Sequence, residues 1–249
     1  MPAFEAEQGM PYWQDLATKD MLKSVSFYSG LLGWEVGSDA YRVARKEGLP
    51  VAGFMNHASA EDLWLTYFLG FAGAPGRVEE LGGKVLGSAE VSLGQMTICQ
   101  DPAGGLFGLM EPSGEDQFVA AGEPGVPVWH ELVAPDSAVV DFYGELFDWE
   151  IHQEDGYFSA RKDGSPFLGM MVVPEAPGAY WQTYFGVEDI QAAALSVVEL
   201  GGEIIDGPAD SPFGPLLVVQ DSTGAGMFLA EVERPVFEEI SEADSVLEL

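Results

Sequence analysis

The sequence predicts an α+β protein made of two tandem copies of one domain, each holding two β-α-β-β-β units. Three observations lead there. A long segment is stated twice; short strand-forming runs alternate with helical runs in the same order in both copies; and a stretch rich in Gly, Pro and acid separates them. Residues 127–151, PVWHELVAPDSAVVDFYGELFDWEI, restate residues 11–36, PYWQDLATKDMLKSVSFYSGLLGWEV. Trp129 follows Trp13 by 116 residues and Trp149 follows Trp34 by 115, so one residue separates the copies in length. Duplication on this scale sets the architecture before any single element is assigned.

In order along the chain, residues 1–10 read as an arm and residues 13–17 alternate as a strand. Asp20 or Thr18 caps a helix over residues 21–31, whose Val25, Tyr28 and Leu32 recur at helical spacing, and Gly33 stops it. Residues 34–37, 41–44 and 51–55 read as short strands between turns. A second unit follows, with strands at 64–69, 84–91, 95–100 and 106–110 and a short helix at 75–81. The first domain therefore spans residues 10–112 and a linker 113–126. The second domain, 127–231, repeats the first: WLTYF returns as WQTYF, ELGGKV as ELGGEI and QDPAGG as QDSTGA. The offset grows from 116 at Arg45/Arg161 to 120 at Asp101/Asp221, which places small insertions around the second helix of the later copy. Residues 232–249 form an acidic tail, with Phe237 and Ile240 suggesting partial docking.

Composition narrows the function. Apolar residues are 47% and aromatics 12% of the chain, enough for two cores. Forty-one acidic residues against 10 basic ones give a net charge of −31. Such a surface repels phosphate backbones and anionic lipids, so neither nucleic acid nor membrane is expected as a partner. No apolar run reaches the ~20 residues of a membrane span, and residues 1–13 lack a signal-peptide pattern. The lone Cys99 sits in an apolar run and reads as a buried structural thiol. A cytoplasmic protein, monomer or homodimer, fits these features.

The Asp-capped helix ending in FYxxLxGWE, the DPxGxxFGL turn and strand, and the ELGG helix end resemble the vicinal-oxygen-chelate superfamily, which includes glyoxalase I, bleomycin-resistance proteins and extradiol dioxygenases. The chain is most similar to two-domain glyoxalase-like proteins of actinobacteria, over about residues 10–231. The resemblance implies that each pair of units curls into an open, cup-shaped mixed sheet, with ligands in the cup and helices outside.

The resemblance also implies metal-ligand positions, and this sequence departs from them. A His or Gln is expected seven residues before the capping Asp; Trp13 and Trp129 stand there. A Glu is expected seven residues after the Asp of DPxG; Gly108 and Phe228 stand there. The strand opening the second unit offers Leu65 in one copy and Gln182 in the other. A divalent site wants three or four converging N or O donors, so no metal and no other cofactor is expected. Of the three histidines, His57 lies in a polar loop, His152 lacks a second His at ligand spacing, and His130 faces away from Trp129 by strand alternation.

Alternation points Trp13 and Asp15 into one cup and Trp129 and Glu131 into the other, with Tyr67, Gln182 and Tyr184 from the second-unit strands. Trp13, Trp129, Tyr67, Gln182 and Tyr184 are thus candidate ligand-binding residues, and Asp15 and Glu131 candidate general bases. Three readings follow: a metal-free small-molecule-binding protein, a glyoxalase-like lyase or isomerase acting on an aldehyde or its thiol adduct, or an interaction protein whose cups are filled.

Overall fold

The structure is a computed structural model describing residues 3–57, 61–113, 118–211 and 214–234. The expected docking of the tail through Phe237 and Ile240 lies outside the described residues. The first half contains β1 (Ala3–Glu5), β2 (Pro11–Thr18), α1 (Met21–Leu32), β3 (Glu35–Val36), β4 (Arg42–Lys46), β5 (Leu49–Asn56), β6 (Leu63–Leu69), α2 (Ala74–Glu80), β7 (Lys84–Val91), β8 (Gly94–Gln100) and β9 (Leu106–Pro112). After β10 (Phe118–Ala120) come β11 (Pro127–Ala134), α3 (Ser137–Phe147), β12 (Glu150–Glu154), β13 (Tyr157–Lys162), β14 (Ser165–Val172), β15 (Tyr180–Val187), α4 (Ile190–Glu199), β16 (Glu203–Ser211), β17 (Gly214–Gln220) and β18 (Gly226–Glu231).

Each half folds into one eight-stranded sheet, in the orders β3-β4-β5-β2-β6-β9-β8-β7 and β12-β13-β14-β11-β15-β18-β17-β16. The central strand of each, β2 or β11, pairs parallel with one neighbour and antiparallel with the other, so both sheets are mixed. This is the expected fold: two tandem domains of paired β-α-β-β-β units. Local chemistry explains the helix ends. Asp20 accepts from Lys23 N and Asp136 from Ala138 N at the starts of α1 and α3. Both helices end in a left-handed residue, Gly33 (φ 68°) in one copy and Asp148 (φ 55°) in the other.

Two segments differ from the sequence expectation. The N-terminal arm and the linker are not featureless, because β1 pairs antiparallel with β10 as a separate two-stranded ribbon. Three-residue strands more than a hundred residues apart carry no periodic signal that would reveal the pairing. The strand expected at residues 34–37 shrinks to Glu35–Val36, because Trp34 turns inward and stacks on Tyr28 at 5.4 Å.

The helices lie between the two sheets, and the halves exchange side chains there. One core joins α1, Leu16, Phe54 and Trp64 of the first half to Phe185, Leu217, Leu229 and α4 of the second. The other joins α3, Leu132 and Trp181 of the second half to Phe68, Phe107 and α2 of the first. Phe185 sits 5.6 Å from Trp34 and 5.1 Å from Trp64, ring centre to ring centre. Its counterpart Phe68 sits 5.0 Å from Phe147 and 4.9 Å from Trp181. Hydrogen bonds follow the same reciprocity: Trp34 Nε1 donates to Gly125 O at 2.6 Å and Trp149 Nε1 to Gly9 O at 3.0 Å. The DPxG turn is part of this joint. Asp101 Oδ1 accepts from Ala103 N and Gly105 N, while Oδ2 accepts from the Tyr143 hydroxyl of the other half at 3.0 Å.

Truncating either exchanged ring therefore removes buried contacts from both halves at once. Phe185→Ala and Phe68→Ala should each lower stability by about 3–5 kcal/mol in urea unfolding. Leu195→Ala, at a side chain that is 70% exposed, should change it by less than about 0.5 kcal/mol.

Candidate functional site

Strand alternation sorts the central strands as expected. Leu16 of β2 and Leu132 of β11 point into the helix layer, whereas Trp13, Asp15, Trp129 and Glu131 point the other way, into the two sheet cups. Register then fixes the neighbours. Asp15 lies opposite Leu65, and Glu131 opposite Gln182.

In the first cup, the Asp15 carboxyl is fully buried. Its Oδ1 accepts from Trp13 Nε1 at 2.9 Å and from the Tyr41 hydroxyl at 2.6 Å. Oδ2 has no hydrogen-bond partner, although the Tyr67 hydroxyl lies close enough to interact with it electrostatically. Burial pushes the Asp15 carboxyl up to about 6, against the opposing effect of its Tyr and Trp donors. Burial, and secondarily Asp15 itself, raises the Tyr41 and Tyr67 phenols above their ordinary value, so they remain protonated donors.

The second cup repeats the carboxylate with different partners. Glu131 Oε1 accepts from the Tyr157 hydroxyl at 2.6 Å and Oε2 from the Tyr184 hydroxyl at 2.9 Å. Both phenols are raised, first by burial. Tyr41 and Tyr157 were not among the residues singled out in the sequence. The available signal was their recurrence at the 116-residue offset, shared by Gly53 and Gly169. Those glycines are required by the site. A Cβ on Gly53 would meet Asp15 Oδ1 at 2.0 Å and the Tyr41 hydroxyl at 2.1 Å, and one on Gly169 would meet the Tyr157 hydroxyl at 1.7 Å.

The cups differ in filling. Trp13, Leu65, Tyr67, Met96 and Met110 form a closed cluster over the first floor. A cavity of about 650 Å³ adjoins this cluster, bordered by Tyr41, Val43, Arg45 and Val91. At the corresponding places the second cup has Leu216 for Met96 and Ala230 for Met110. Its Trp129, Tyr157, Gln182, Val218 and Phe228 are half-buried rather than buried. The first floor is thus covered by buried apolar side chains, whereas several side chains around the buried Glu131 of the second are only half-buried.

The implied metal-ligand positions can be tested on this geometry. Gly108 makes room for the Tyr67 ring, since a Cβ there would fall 1.9 Å from Tyr67 Cδ1. Phe228 stacks on Tyr184 with ring centres 4.4 Å apart. Indole, isobutyl and aromatic groups occupy the remaining positions, with Gln182 as the one oxygen donor among them. Among the described residues, no three His, Cys, Asp or Glu side chains converge. His130 is buried on the helix side of β11, its Nδ1 3.4 Å from Thr183 Oγ1, and burial holds it down near 4. His57, in its polar loop, places Nε2 3.6 Å from Asp62 Oδ1.

The buried Asp15 makes stability depend on pH. Its folded value of about 6 lies above the ordinary 3.8, so the folded state holds the proton more tightly. This contribution is fully present below pH 4 and is lost as pH rises through 6, amounting to roughly 3 kcal/mol. Asp15→Asn should remove it: the difference in urea stability, variant minus wild type, should rise between pH 4 and pH 7 and then level off.

Comparison with known proteins agrees with this architecture. A family model described as a glyoxalase-like domain matches residues 133–229. The Mycobacterium bovis protein named "Putative glyoxylase CFP32" is 30% identical, over 89% of this chain and 94% of its own length. The anthracycline biosynthesis protein DnrV of Streptomyces peucetius is 28% identical, over 90% and 94% respectively. Among solved structures, a Mn(II)-bound glyoxalase from Novosphingobium aromaticivorans superposes with a TM-score of 0.67 at 16% identity, covering 92% of this chain and 84% of that one. Homoprotocatechuate 2,3-dioxygenase of Brevibacterium fuscum gives 0.67 at 15%, covering 96% and 84%. At these identities the structures share the fold alone. With its duplicated units, its mixed cup-shaped sheets and a full-length relative at 30% identity, the chain belongs to the glyoxalase-like, two-domain branch of the vicinal-oxygen-chelate superfamily.

Proposed function

We propose that this protein is a metal-independent small-molecule-binding member of the family and that the second cup is its site. The observation that carries the reading is the Glu131 carboxylate, clamped by Tyr157 and Tyr184 in a dish whose other walls are half-buried Trp129, Gln182 and Phe228. An apolar, aromatic wall with a few fixed polar groups suits a small organic ligand. The carboxylate and the indole favour a ligand carrying an amine, through an ion pair and a cation–π contact.

The binding reading is preferred to a lyase or isomerase with Glu131 or Asp15 as base. Asp15 lies beneath a closed apolar cluster that a substrate would have to displace. The lost donor positions support metal independence on the chemistry of the side chains: Trp, Leu and Gly in one cup, Trp, Gln and Phe in the other. The names of the relatives, a glyoxylase and an anthracycline biosynthesis protein, fit handling of a small organic compound. A cytoplasmic setting suits the acidic composition and the reduced, buried Cys99.

Titration with tryptamine, followed by isothermal calorimetry, should show saturable binding that Glu131→Gln weakens by about tenfold or more. Trp13→Phe, in the first cup, should leave it unchanged. Zinc, manganese and iron should be far below one equivalent in protein purified without chelator. Turnover of a methylglyoxal–thiol adduct that Glu131→Gln abolishes would overturn the binding reading in favour of the lyase.

A further inference from the structure

A second cavity, of about 850 Å³, lies where the two halves meet, bordered by Trp13 and Met110 from the edge of the first cup and Trp129 from the edge of the second. We infer that it is a binding site for a flat, uncharged polycyclic aromatic molecule carrying hydroxyl or carbonyl groups, separate from the Glu131 dish. Its walls come from equivalent positions of the duplicated halves. Trp13 and Trp129, Gln14 and His130, and Pro50 and Pro166 all border it, and the members of each pair are 116 residues apart. Neither half forms the cavity alone. The β1–β10 ribbon contributes Val119 and Ala120 to one side, which gives that otherwise isolated ribbon a place in the site.

The chemistry of the ligand follows from what the walls offer. Indole and proline rings present flat apolar faces, which suit a planar aromatic system. The volume falls within the ~300–1,000 Å³ usual for small-molecule sites. Neither Asp15 nor Glu131 is among the residues that border the cavity. His130 is 8% exposed, and its Nδ1 is engaged by Thr183. Among the described residues its Nε2 has no partner, and the ring borders the cavity. Gln14 donates its amide N–H to Val51 O, which leaves its carbonyl oxygen as an acceptor. The site therefore offers hydrogen bonds but no buried charge, since the one ionised group along its lining is the exposed Glu5. An anion would meet a strongly acidic protein, and a cation would find no buried counter-charge.

The probe is 1,4-dihydroxyanthraquinone, followed by its visible absorbance and by quenching of Trp fluorescence. One-to-one saturable binding is expected. His130→Leu should weaken it on the order of tenfold, by loss of the hydrogen bond. His130→Gln, which restores the residue present at the equivalent position of the first half, should retain it. Leu49→Trp, which fills the cavity from the β5 side, should abolish it, with urea unfolding confirming that each variant is folded. Glu131→Gln and Tyr157→Phe should leave it unchanged. The inference is overturned if no saturable binding occurs, if Leu49→Trp binds as wild type does, or if Glu131→Gln weakens binding as His130→Leu should, which would place the probe in the dish. Because tryptamine reports on the dish and the quinone on the cavity, either site can fail without the other.

Discussion

Everything in this protein depends on the exchange of one aromatic ring in each direction between the halves. Phe185 completes the aromatic cluster around Tyr28, Trp34 and Trp64, and Phe68 completes the matching cluster around Tyr143, Trp149 and Trp181. Each cluster would otherwise expose large apolar surface to water. The halves are therefore two sequence copies but not two independent cores. The exchange also explains residues that motif reasoning would assign to chemistry. The Asp of the DPxG turn caps its own loop and accepts from a Tyr on the opposite half, so its role is to join the halves.

Holding the helix layer in common frees the opposite faces of the sheets for divergence. The two cups began as copies and still share a carboxylate, an indole two residues before it, a tyrosine from the β4 or β12–β13 hairpin region and a glycine that makes space for that tyrosine. Their coverings differ: Met96 and Met110 belong to the buried cluster of the first cup, and Leu216 and Ala230 stand at the corresponding places of the second. A flexible thioether fills irregular space well. The consequence is electrostatic: the sealed Asp15 is pushed up by burial, and a buried carboxyl with one unpartnered oxygen contributes to where stability is highest in pH.

Much of the candidate site was legible from the duplication. Trp13, Asp15, Trp129, Glu131, Tyr67 and Tyr184 all follow from strand alternation in β2, β6, β11 and β15, and the structure brings them together in two groups of three. Tyr41 and Tyr157 were missed because they enter from strands whose neighbours are set by register rather than by local pattern. Gln182 was expected to face the second cup; its place opposite Glu131 comes from the strand register, which local pattern does not reveal.

The sequence by itself determined the repeat, the order of elements, the capping Asp residues and the face of each strand, because periodicity and turn chemistry act over a few residues. The tertiary structure alone decided how each cup floor is covered, that β1 and β10 pair, and that equivalent strand ends from the two halves enclose a shared cavity. Those outcomes depend on side-chain volumes meeting across more than a hundred residues of chain, and in a closely packed interior a change such as Met96 and Met110 to Leu216 and Ala230 alters how a floor is covered.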